Sequence, residues 1–525
     1  MIQKIKNGQT YLGIEFGSTR IKAVLIDNEF HCIAIGTYNW ENKLEDGYWT
    51  YSLDEIHKGL RGCFASLIEN VADKYGVELN CIGAIGISGM MHGYLAFDKN
   101  DNLLVPFRTW RNTRTEKAAN ELTELFEFNS PQRWSITHLY QAILNEEPHV
   151  SEIAHITTLS GYIHFLLTGR RELGVGEASG MFPVDNNGYD SCMLEKFNKL
   201  IAGKMFKWNI YNILPEVRKA GTKGAYLTGE GAKFLDPTGK LKAGIPICPP
   251  EGDAGTGMVA TNAVFPRTGN VSAGTSIFAM LVLEKELENL HKEIDVVATP
   301  DGAPVAMVHC NNCCGELDAW VKMFGEFASL AGISIEKSSL YELLYNNTTL
   351  ANTDCGGITA FNYLSGEHVT GIENGRPMYF RSAKGNMSLA NFMQAQIYSS
   401  MATLALGMEI LMEEEKVCIK QIQAHGGLFK VKGIAQQILA NALQTCVCVT
   451  ETAGEGGAWG MALLAAYMID GEDNSLGEWL SEKVFTEMQS IDVKPDENGI
   501  VGFKKYLSRY KTAIDAEKKL EGVVC

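Results

Sequence analysis

The chain of 525 residues lacks any apolar run of the length, about 18 residues, that spans a bilayer. Its first residues also lack the apolar stretch of a signal peptide. Positive charge is scarce as well, because 46 Lys and Arg stand against 62 Asp and Glu, which gives a net charge of −16. An acidic surface gains nothing from the counterion release that drives binding to nucleic acids or anionic membranes. We therefore expect a cytoplasmic protein with neither nucleic acid nor membrane as a partner.

The cysteines do not form the pattern of a disulfide framework. There are 13 of them, an odd number spread through a long chain, which favours reduced and mostly buried thiols. Cys310, Cys313 and Cys314 follow His309 and could hold zinc, but a second ligand pair at short spacing is missing. A loop or a core segment is the simpler interpretation of this cluster.

Several catalytic motifs are missing too. Both Gly-Lys pairs, at 203–204 and 239–240, lack the Ser or Thr that completes a Walker A loop. We find neither a His-Glu-x-x-His nor a Gly-x-Ser-x-Gly motif. Gly255-x-Gly257-x-x-Ala260 matches a loosened dinucleotide fingerprint, but prolines precede it instead of a clean strand. A nicotinamide-dependent dehydrogenase is therefore only a minor alternative.

Glycine is what the sequence has in excess, with 53 residues where about 7% of the chain is usual. Such an excess predicts many turns and close backbone approaches. The contents of hydrophobic residues, 46%, and charged residues, 21%, are typical of globular proteins. The length alone predicts two to four domains.

Two segments share a strand, turn, strand pattern. Residues 11–27 carry Gly-Ser-Thr at the break, and residues 268–284 carry Gly-Thr-Ser about half a chain later. Small residues at a turn let backbone N–H groups approach a phosphate, and the hydroxyls add donors. Any β-hairpin can carry a turn glycine, but two copies at this spacing favour a weak internal duplication with two phosphate loops.

Apolar periodicity predicts an α/β protein with partly parallel sheets. Strands are expected near residues 81–88, 94–98 and 418–427. Helices are expected at residues 115–126, 160–167, 388–415 and 433–444, and the charged stretch 284–293 also looks helical.

Two carboxylates stand next to these glycine-rich turns. Asp253, in Gly-Asp-Ala-Gly-Thr-Gly, could accept a proton from an attacking hydroxyl, although an Asp that caps a helix starting near Ala254 is equally expected. Glu15 precedes the first turn and could anchor Mg²⁺ through water, or could simply be a solvated charge.

Together, seven segments in order and spacing resemble the FGGY carbohydrate kinases, with the xylulokinase branch nearest. They are GIEFGSTRIKA (13–23), GISGMMHGYLAFD (86–98), PFRTWRNTR (106–114), EGDAGTGMVA (251–260), VSAGTS (271–276), YLSGEH (363–368) and HGGLFKVKGIAQQILANAL (425–443), the last followed by GEGGAWGMALLAA (454–466). The resemblance covers about residues 11 to 515.

The resemblance implies an α/β fold of two domains, 1–263 and 264–525, of the actin-like ATPase (ribonuclease H-like) type, with nucleotide and sugar in the interdomain cleft. It implies ATP and Mg²⁺ as cofactors, and a homodimer. By position, Asp253 would be the general base and Glu15 the metal anchor. The residues implied at the sugar are Met91, His92, Trp110, Asn112 and Arg114. Those implied at the nucleotide are Gly17, Ser18, Thr19, Lys22, Gly274, Thr275, Ser276, Gly426, Gly427 and Asn441.

The sequence departs from the family pattern mainly at the expected sugar and metal positions. Glu15 stands where the family has Asp, Arg111-Asn112 stands for Asn-Asp, and Met90 stands for Gln. On the nucleotide side, Asn441 replaces Asp. We therefore expect a kinase for a ketopentose such as xylulose or ribulose. A polyol, an aldonate or a ketohexose as substrate, and a nucleotide-binding protein with weak catalysis, remain alternatives.

Overall fold

The computed structural model describes residues 1–450, 456–471, 474–486 and 490–520. These residues form two compact units. The first comprises Met1–Val264, Val296–Val305 and Glu455–Glu487, and the second comprises Phe265–Asp295, Ala306–Gly454 and Met488–Cys525. Strands and helices alternate in both units, which confirms the predicted α/β class.

The strands of the first unit are short except in its main sheet. They are β1 (Thr10–Phe16), β2 (Arg20–Asp27), β3 (Cys32–Asn39), β4 (Lys43–Glu45), β5 (Tyr48–Thr50), β6 (Ala84–Gly89), β7 (Leu95–Phe97), β8 (His155–Thr157), β9 (Glu172–Gly174), β10 (Val184–Asp185), β11 (Gly188–Tyr189), β12 (Glu216–Arg218), β13 (Ala225–Tyr226), β14 (Pro246–Ile247) and β15 (Glu251–Gly252).

The helices of the first unit include one contributed from late in the chain. They are α1 (Ile2–Lys6), α2 (Leu53–Tyr75), α3 (Glu116–Phe126), α4 (Ser135–Leu144), α5 (Leu159–Thr168), α6 (Val175–Ser179), α7 (Ser191–Ile201), α8 (Ile210–Ile213), α9 (Gly229–Leu235), α10 (Asp253–Ala260), and later α15 (Gly456–Asp470) and α16 (Leu476–Trp479).

The strands and helices of the rest of the chain are as follows. The strands are β16 (Thr268–Ala273), β17 (Ile277–Val282), β18 (Asp295–Ala298), β19 (Pro304–Cys310), β20 (Ile358–Asn362), β21 (Pro377–Arg381), β22 (Gln421–Gly426), β23 (Cys446–Thr450) and β24 (Ser490–Val493). The helices are α11 (Cys314–Leu330), α12 (Lys337–Asn347), α13 (Leu389–Glu409), α14 (Ile434–Leu443) and α17 (Glu497–Lys519).

The sheet of the first unit runs in the order β13-β14-β6-β1-β2-β3, and β15 also pairs with β6. β1 and β2 form an antiparallel hairpin, and β6 pairs with β1 in parallel. Because side chains alternate along a strand, Leu12, Ile14 and Phe16 all point into one core, which α2 and α5 complete. The predicted hairpin at residues 11–27 is confirmed.

Helix α15 packs closely against β1. A Cβ atom added to Gly13 would lie 2.0 Å from the carbonyl oxygen of Ala458 and 2.5 Å from the amide nitrogen of Ala462. Both contacts are to helix backbone, so only glycine allows helix and strand to approach this closely.

The second unit repeats this plan. Its sheet contains the strand order β19-β17-β16-β22-β23-β24. β16 and β17 pair antiparallel, and β22 pairs with β16 in parallel. The side chains of Val271, Ile422 and Val447 point into a core that α13 and α14 complete. The predicted hairpin at residues 268–284 is therefore also confirmed.

The predicted helices are confirmed by α3, α5, α13 and α14, and α13 continues into a π-helical turn, Ile410–Glu414. The helix expected at residues 284–293 is wrong, since these residues form bends and turns. Glu415 explains the difference: its carboxylate accepts hydrogen bonds from the backbone N–H groups of Glu288 (2.7 Å) and Asn289 (3.1 Å). His291 Nε2 also lies 2.7 Å from it. This segment therefore wraps around a carboxylate instead of coiling.

The interpretation of residues 255–260 as a dinucleotide-binding fingerprint is wrong as well. Gly255 and Gly257 lie inside α10, whose first residue is Asp253, and not in a loop between a strand and a helix. Within the described parts of the chain, we find no helix with the length and apolar character needed to cross a membrane.

Candidate active site

The turn of the first hairpin holds Gly17, Ser18 and Thr19, and its carbonyl oxygens are bound by neighbouring aromatic residues. The indole Nε1–H of Trp40 donates to the Gly17 carbonyl at 2.7 Å, and the Tyr51 hydroxyl donates to the Ser18 carbonyl at 2.6 Å. The backbone N–H of Trp40 donates to the Thr19 carbonyl at 3.2 Å. With its carbonyls paired and Thr19 exposed, the turn can offer N–H and hydroxyl donors to an anion.

Glu15 lies two residues before this turn and pairs in register with Lys22 of β2. Its Oε2 accepts a hydrogen bond from the backbone N–H of Ala458, at the start of α15, at 3.2 Å. Burial, and secondly the negative charge of Asp253, raise the pKa of Glu15 to about 7. Glu15 is thus enclosed at a helix N-terminus, so the alternative of a solvated surface charge is wrong.

Asp253 begins α10. Its Oδ1 accepts hydrogen bonds from the backbone N–H groups of Met91 (3.2 Å) and Ala254 (3.0 Å). The N-cap is Gly252, whose position has no side-chain cap, so the capping alternative for Asp253 is wrong. Desolvation by the surrounding protein raises the pKa of Asp253 to about 6. The side chain nevertheless remains accessible to solvent, as a group that meets a substrate must be.

Met91 and His92 lie on the same segment as the amide that holds Asp253. His92 is buried with a φ of 68°, a left-handed conformation that is unusual outside glycine. Its Nδ1 lies 2.9 Å from the carbonyl oxygen of Gly180, and its ring stacks on Trp134 with 6.3 Å between centroids. The imidazole is thus held in one orientation next to the candidate base.

The segment with Trp110, Asn112 and Arg114 packs against the β4–β5 hairpin. The Asn112 amide donates to the carbonyl oxygens of Trp49 and Thr109, both at 2.9 Å. Its Oδ1 accepts from the Trp49 N–H at 2.9 Å. Asn112 therefore uses both amide hydrogens on backbone carbonyls, one of Trp49 and one of Thr109, while Trp110 is half-buried and Arg114 is exposed.

Two buried carboxylates near Asp253 were not predicted. Glu251 accepts hydrogen bonds from the N–H groups of Gly176 (3.4 Å) and Glu177 (2.9 Å), and burial raises its pKa to about 8. Glu177 is fully buried, and its Oε2 makes no hydrogen bond to any described residue. Burial also raises the pKa of Glu177 well above its usual range. Neither residue stood out in the sequence, although Glu251 is the first residue of the segment EGDAGTGMVA.

The turn of the second hairpin, with Gly274, Thr275 and Ser276, is bound differently. The backbone N–H of Cys313 donates to the Thr275 carbonyl at 2.9 Å, and that of Cys314 donates to the Gly274 carbonyl at 3.1 Å. These are the first amides of α11. Gly274 and Thr275 are exposed, so this turn also presents donors to solvent.

The three remaining nucleotide-side residues have different environments. Gly426 has a φ of 106°, and a Cβ there would lie 2.2 Å from the Ala273 carbonyl, whereas Gly427 is open. Asn441 is committed to α17: it donates to Asp496 Oδ2 at 3.0 Å and accepts from the Asp496 N–H at 2.9 Å. Residues 454 and 455 of the last motif lie outside the described residues.

The predicted cysteine cluster is not a ligand set. Cys310 and Cys313 are buried, and the Sγ atoms of Cys313 and Cys314 are 3.6 Å apart. Among the described residues no third ligand joins them in a group that could hold a metal. All described cysteines are free thiols.

Comparison with known proteins identifies the family of the chain. The N-terminal domain of the FGGY family of carbohydrate kinases matches residues 10–260, and the C-terminal domain of the same family matches residues 269–469. A xylulose kinase of Haemophilus influenzae is 22% identical over 96% of this chain and 99% of its own.

Solved structures show the same fold. The xylulose kinase of Rhodospirillum rubrum superposes with a TM-score of 0.78 at 15% identity, covering 98% of this chain and 99% of that one. The glycerol kinase of Plasmodium falciparum, solved with ADP, gives 0.76 at 17% identity, with 97% and 98% covered. The fold is the two-domain, actin-like ATPase fold that was predicted. The chain belongs to the FGGY family of carbohydrate kinases, enzymes that transfer a phosphoryl group to a carbohydrate.

Proposed function

We propose that this kinase uses ATP to phosphorylate a primary hydroxyl of a ketopentose such as xylulose or ribulose, with Asp253 as the general base. The environment of Asp253 carries the proposal. Its Oδ1 is fixed by two backbone N–H groups, and no described residue donates a hydrogen bond to its Oδ2. One oxygen therefore orients the carboxylate, and the other can receive the proton of the attacking hydroxyl.

The raised pKa suits this role. With a pKa of about 6, Asp253 is ionised at neutral pH and is a stronger base than an ordinary aspartate. Proton removal as the hydroxyl attacks the γ-phosphorus, with transfer in line, needs positioning more than covalent chemistry.

We assign sugar contacts to Met91, His92, Trp110 and Arg114. The fixed imidazole of His92 supports hydrogen bonding to a hydroxyl, and the half-buried indole of Trp110 supports an apolar wall. Asn112 takes part by positioning Trp49, since its amide hydrogens are already used.

We assign the phosphates to the two turns, Gly17-Ser18-Thr19 with Lys22 and Gly274-Thr275-Ser276. Exposed small residues with hydroxyls, whose carbonyls are paired elsewhere, support anion binding by backbone N–H groups. Such donors also explain how a chain with a net charge of −16 can bind a polyanion. Gly426 and Gly427 are assigned to the nucleoside, and Asn441 supports that region through α17.

The carboxylates in the first unit fit Mg²⁺. Burial, and secondly the negative charge of Asp253, raise the pKa of Glu15, and a divalent cation would relieve the repulsion between the two carboxylates. Glu15 would hold the ion through water, and the bound ion would neutralise charge on the phosphates.

The ketopentose is favoured because the full-length relative is a xylulose kinase, although 22% identity leaves the acceptor open. A polyol is the second candidate, since a glycerol kinase shares the fold. An aldonate, a ketohexose, or nucleotide binding with weak catalysis are the other outcomes. We also propose domains at 1–263 and 264–525, a homodimer, and a cytoplasmic location.

The test is an assay of ADP release with a panel of ketopentoses, ketohexoses, polyols and aldonates, with and without Mg²⁺. The proposal expects a ketopentose to give the highest kcat/KM, and Mg²⁺ to be required. A higher value for another class would replace the substrate, whereas ATP binding without turnover on any acceptor would overturn the kinase mechanism.

A further inference from the structure

A polar row crosses the second unit's sheet on the face opposite its core. Asn270 of β16 pairs with Gln423 of β22, Gln423 pairs with Cys448 of β23, and Cys448 pairs with Asp492 of β24. Paired residues of neighbouring strands share one face. Val271, Ile422, Ala424 and Val447, which alternate with this row, belong to the core, so the polar face is distinct from it.

Two thiols and a carboxylate come together at one end of this row. Cys446 and Cys448 are two residues apart on β23, so both point to the same face, and their Sγ atoms are 3.9 Å apart. These sulfurs and a carboxylate oxygen of Asp492 all lie within 4.8 Å of one another. A tetrahedral zinc ion with Zn–S bonds of about 2.3 Å separates two sulfurs by about 3.8 Å. The thiols therefore already have the spacing of zinc ligands.

Two members of the row lack a side-chain partner among the described residues. The side-chain oxygens of Asn270 and Gln423 are buried and make no hydrogen bond to any described residue. Asn270 is only 1% exposed. Gln421, the register partner of Cys446, directs its amide Nε2 to Cys448 Sγ at 2.6 Å. Buried polar groups without partners are rare in folded proteins, so this face differs from the apolar core on the other side of the sheet.

We propose that Cys446, Cys448 and Asp492 bind one zinc ion, with water in the fourth position. On binding, each thiol releases its proton to solvent and each sulfur forms a bond to the metal, so two protons leave per ion. Thiolate ligands select zinc over the magnesium that the kinase reaction would use. The ion would join β23 to β24, which is the last strand in this order of the sheet.

The site differs from the other adjacent thiols of the chain. Cys313 and Cys314 also lie within 4 Å of each other, with sulfurs 3.6 Å apart, but no third ligand joins them among the described residues. They supply a matched control, as does the exposed Cys418.

The experiment is a Co²⁺ titration of the full chain after removal of metals with a chelator, followed by displacement with Zn²⁺. We expect a thiolate-to-cobalt absorption band in the near ultraviolet that saturates at one ion per chain. Cys446→Ser and Cys448→Ser should each remove about half of the band or more and weaken binding at least about tenfold, because each deletes one thiolate ligand. Asp492→Asn should keep the band but weaken binding. No band in the wild type, or an unchanged band in both cysteine variants, would overturn the proposal.

The controls Cys313→Ser and Cys418→Ser should keep the full band, and its loss in either would contradict the assignment. A second measurement needs no variant, in case these fail to fold. Zn²⁺ should slow the alkylation of the partly exposed Cys446 by a maleimide, but not that of Cys418, as followed by peptide mass spectrometry. Equal alkylation rates of Cys446 with and without Zn²⁺ would also reject the site.

Discussion

The two hairpins of this protein are built to one plan but are bound in different ways. Each is antiparallel, each has a third strand paired in parallel to its first strand, and each has a turn of one glycine and two hydroxyl residues. In the first, the side chains of Trp40 and Tyr51 bind the turn carbonyls. In the second, the backbone amides of α11 bind them.

The two turns should therefore differ in their sensitivity to substitution. A turn bound by side chains depends on two particular aromatic residues, whereas a turn bound by helix amides tolerates most substitutions. The hairpins also differ in charge, since Glu15 stands two residues before the first turn and Ser272 stands at that place in the second. Of the two, only the first hairpin carries a carboxylate beside its turn.

The largest effect is expected for Asp253→Asn. The amide keeps an oxygen to accept from Met91 but cannot take a proton, so the rate of ADP release should fall by about 10²–10⁴-fold. ATP affinity, measured by calorimetry, should stay unchanged. The control is Asp73→Asn, an exposed carboxylate on α2. Full activity of the Asp253 variant would show that Asp253 is not the base.

Gly13→Ala tests the close packing behind the first hairpin. The new Cβ would lie 2.0 Å and 2.5 Å from backbone atoms of α15. Overpacking of a core typically costs about 1–3 kcal/mol, and we expect the free energy of unfolding to fall by this amount or more. Gly274→Ala in the second turn is the matched control, because no atom lies within 4 Å of its added Cβ. Equal melting temperatures of the two variants would contradict the difference in packing between Gly13 and Gly274.

Trp40→Phe tests the side-chain anchor of the first turn. It removes the hydrogen bond to the Gly17 carbonyl, which should cost about 1 kcal/mol and raise the KM for ATP. Cys314→Ala keeps the backbone amide that binds the Gly274 carbonyl, so the second turn should stay unaffected. Denaturant midpoints and ATP kinetics measure both. The comparison fails if the Cys314 variant loses more ATP affinity than the Trp40 variant.

The effect of Glu15→Gln should be visible as a change with pH. The folded-state pKa of Glu15 is about 7, above the ordinary 4.5, so the folded protein keeps a proton that the unfolded chain has lost. Stability from this group is therefore present at low pH and declines as the pH rises from 4.5 to about 7. As the pH rises from 5 to 8, the denaturant midpoint of the wild type should fall relative to that of the Gln variant.

Glu415→Gln in the second unit is the counterpart with the opposite sign. Four hydrogen-bond partners outweigh desolvation and lower the pKa of Glu415 to about 2, so its stabilisation is complete above 4.5 and is lost as the pH falls below that value. Between pH 5 and pH 3 the stability advantage of the wild type over this variant should therefore shrink as the pH falls. An advantage that stays constant over that range would contradict the assignment.

The parts of the fold that the sequence predicts are those with local causes. Both hairpins follow from alternating apolar residues around small turn residues, and α13 follows from a long apolar repeat. The stretch 284–293 was predicted wrongly because Glu415, more than 120 residues later, determines its path.

The candidate site was predictable to a lesser degree. The glycine-rich stretch around Asp253 left a general base and a helix cap as equal alternatives, and only the resemblance of motifs favoured the base, a role that stays a proposal. Glu177 and Glu251 meet through a contact between residues 74 apart, and burial at such a distance leaves no periodic signal. Asn112 was expected to face the sugar, but its amide hydrogens bind backbone carbonyls instead. This orientation depends on packing against the β4–β5 hairpin, which has no signal in the local sequence.

The contact between Glu15 and Ala458 has a consequence for synthesis of the protein, because 443 residues separate the two. At about 5–20 residues per second, β1 leaves the ribosome tens of seconds before α15 exists to cover it. During that time one face of the first sheet is exposed to other chains. On that face Tyr11 and Gly13 pair with Ile26 and Val24 of β2, so the nascent sheet exposes apolar side chains until its own helix arrives.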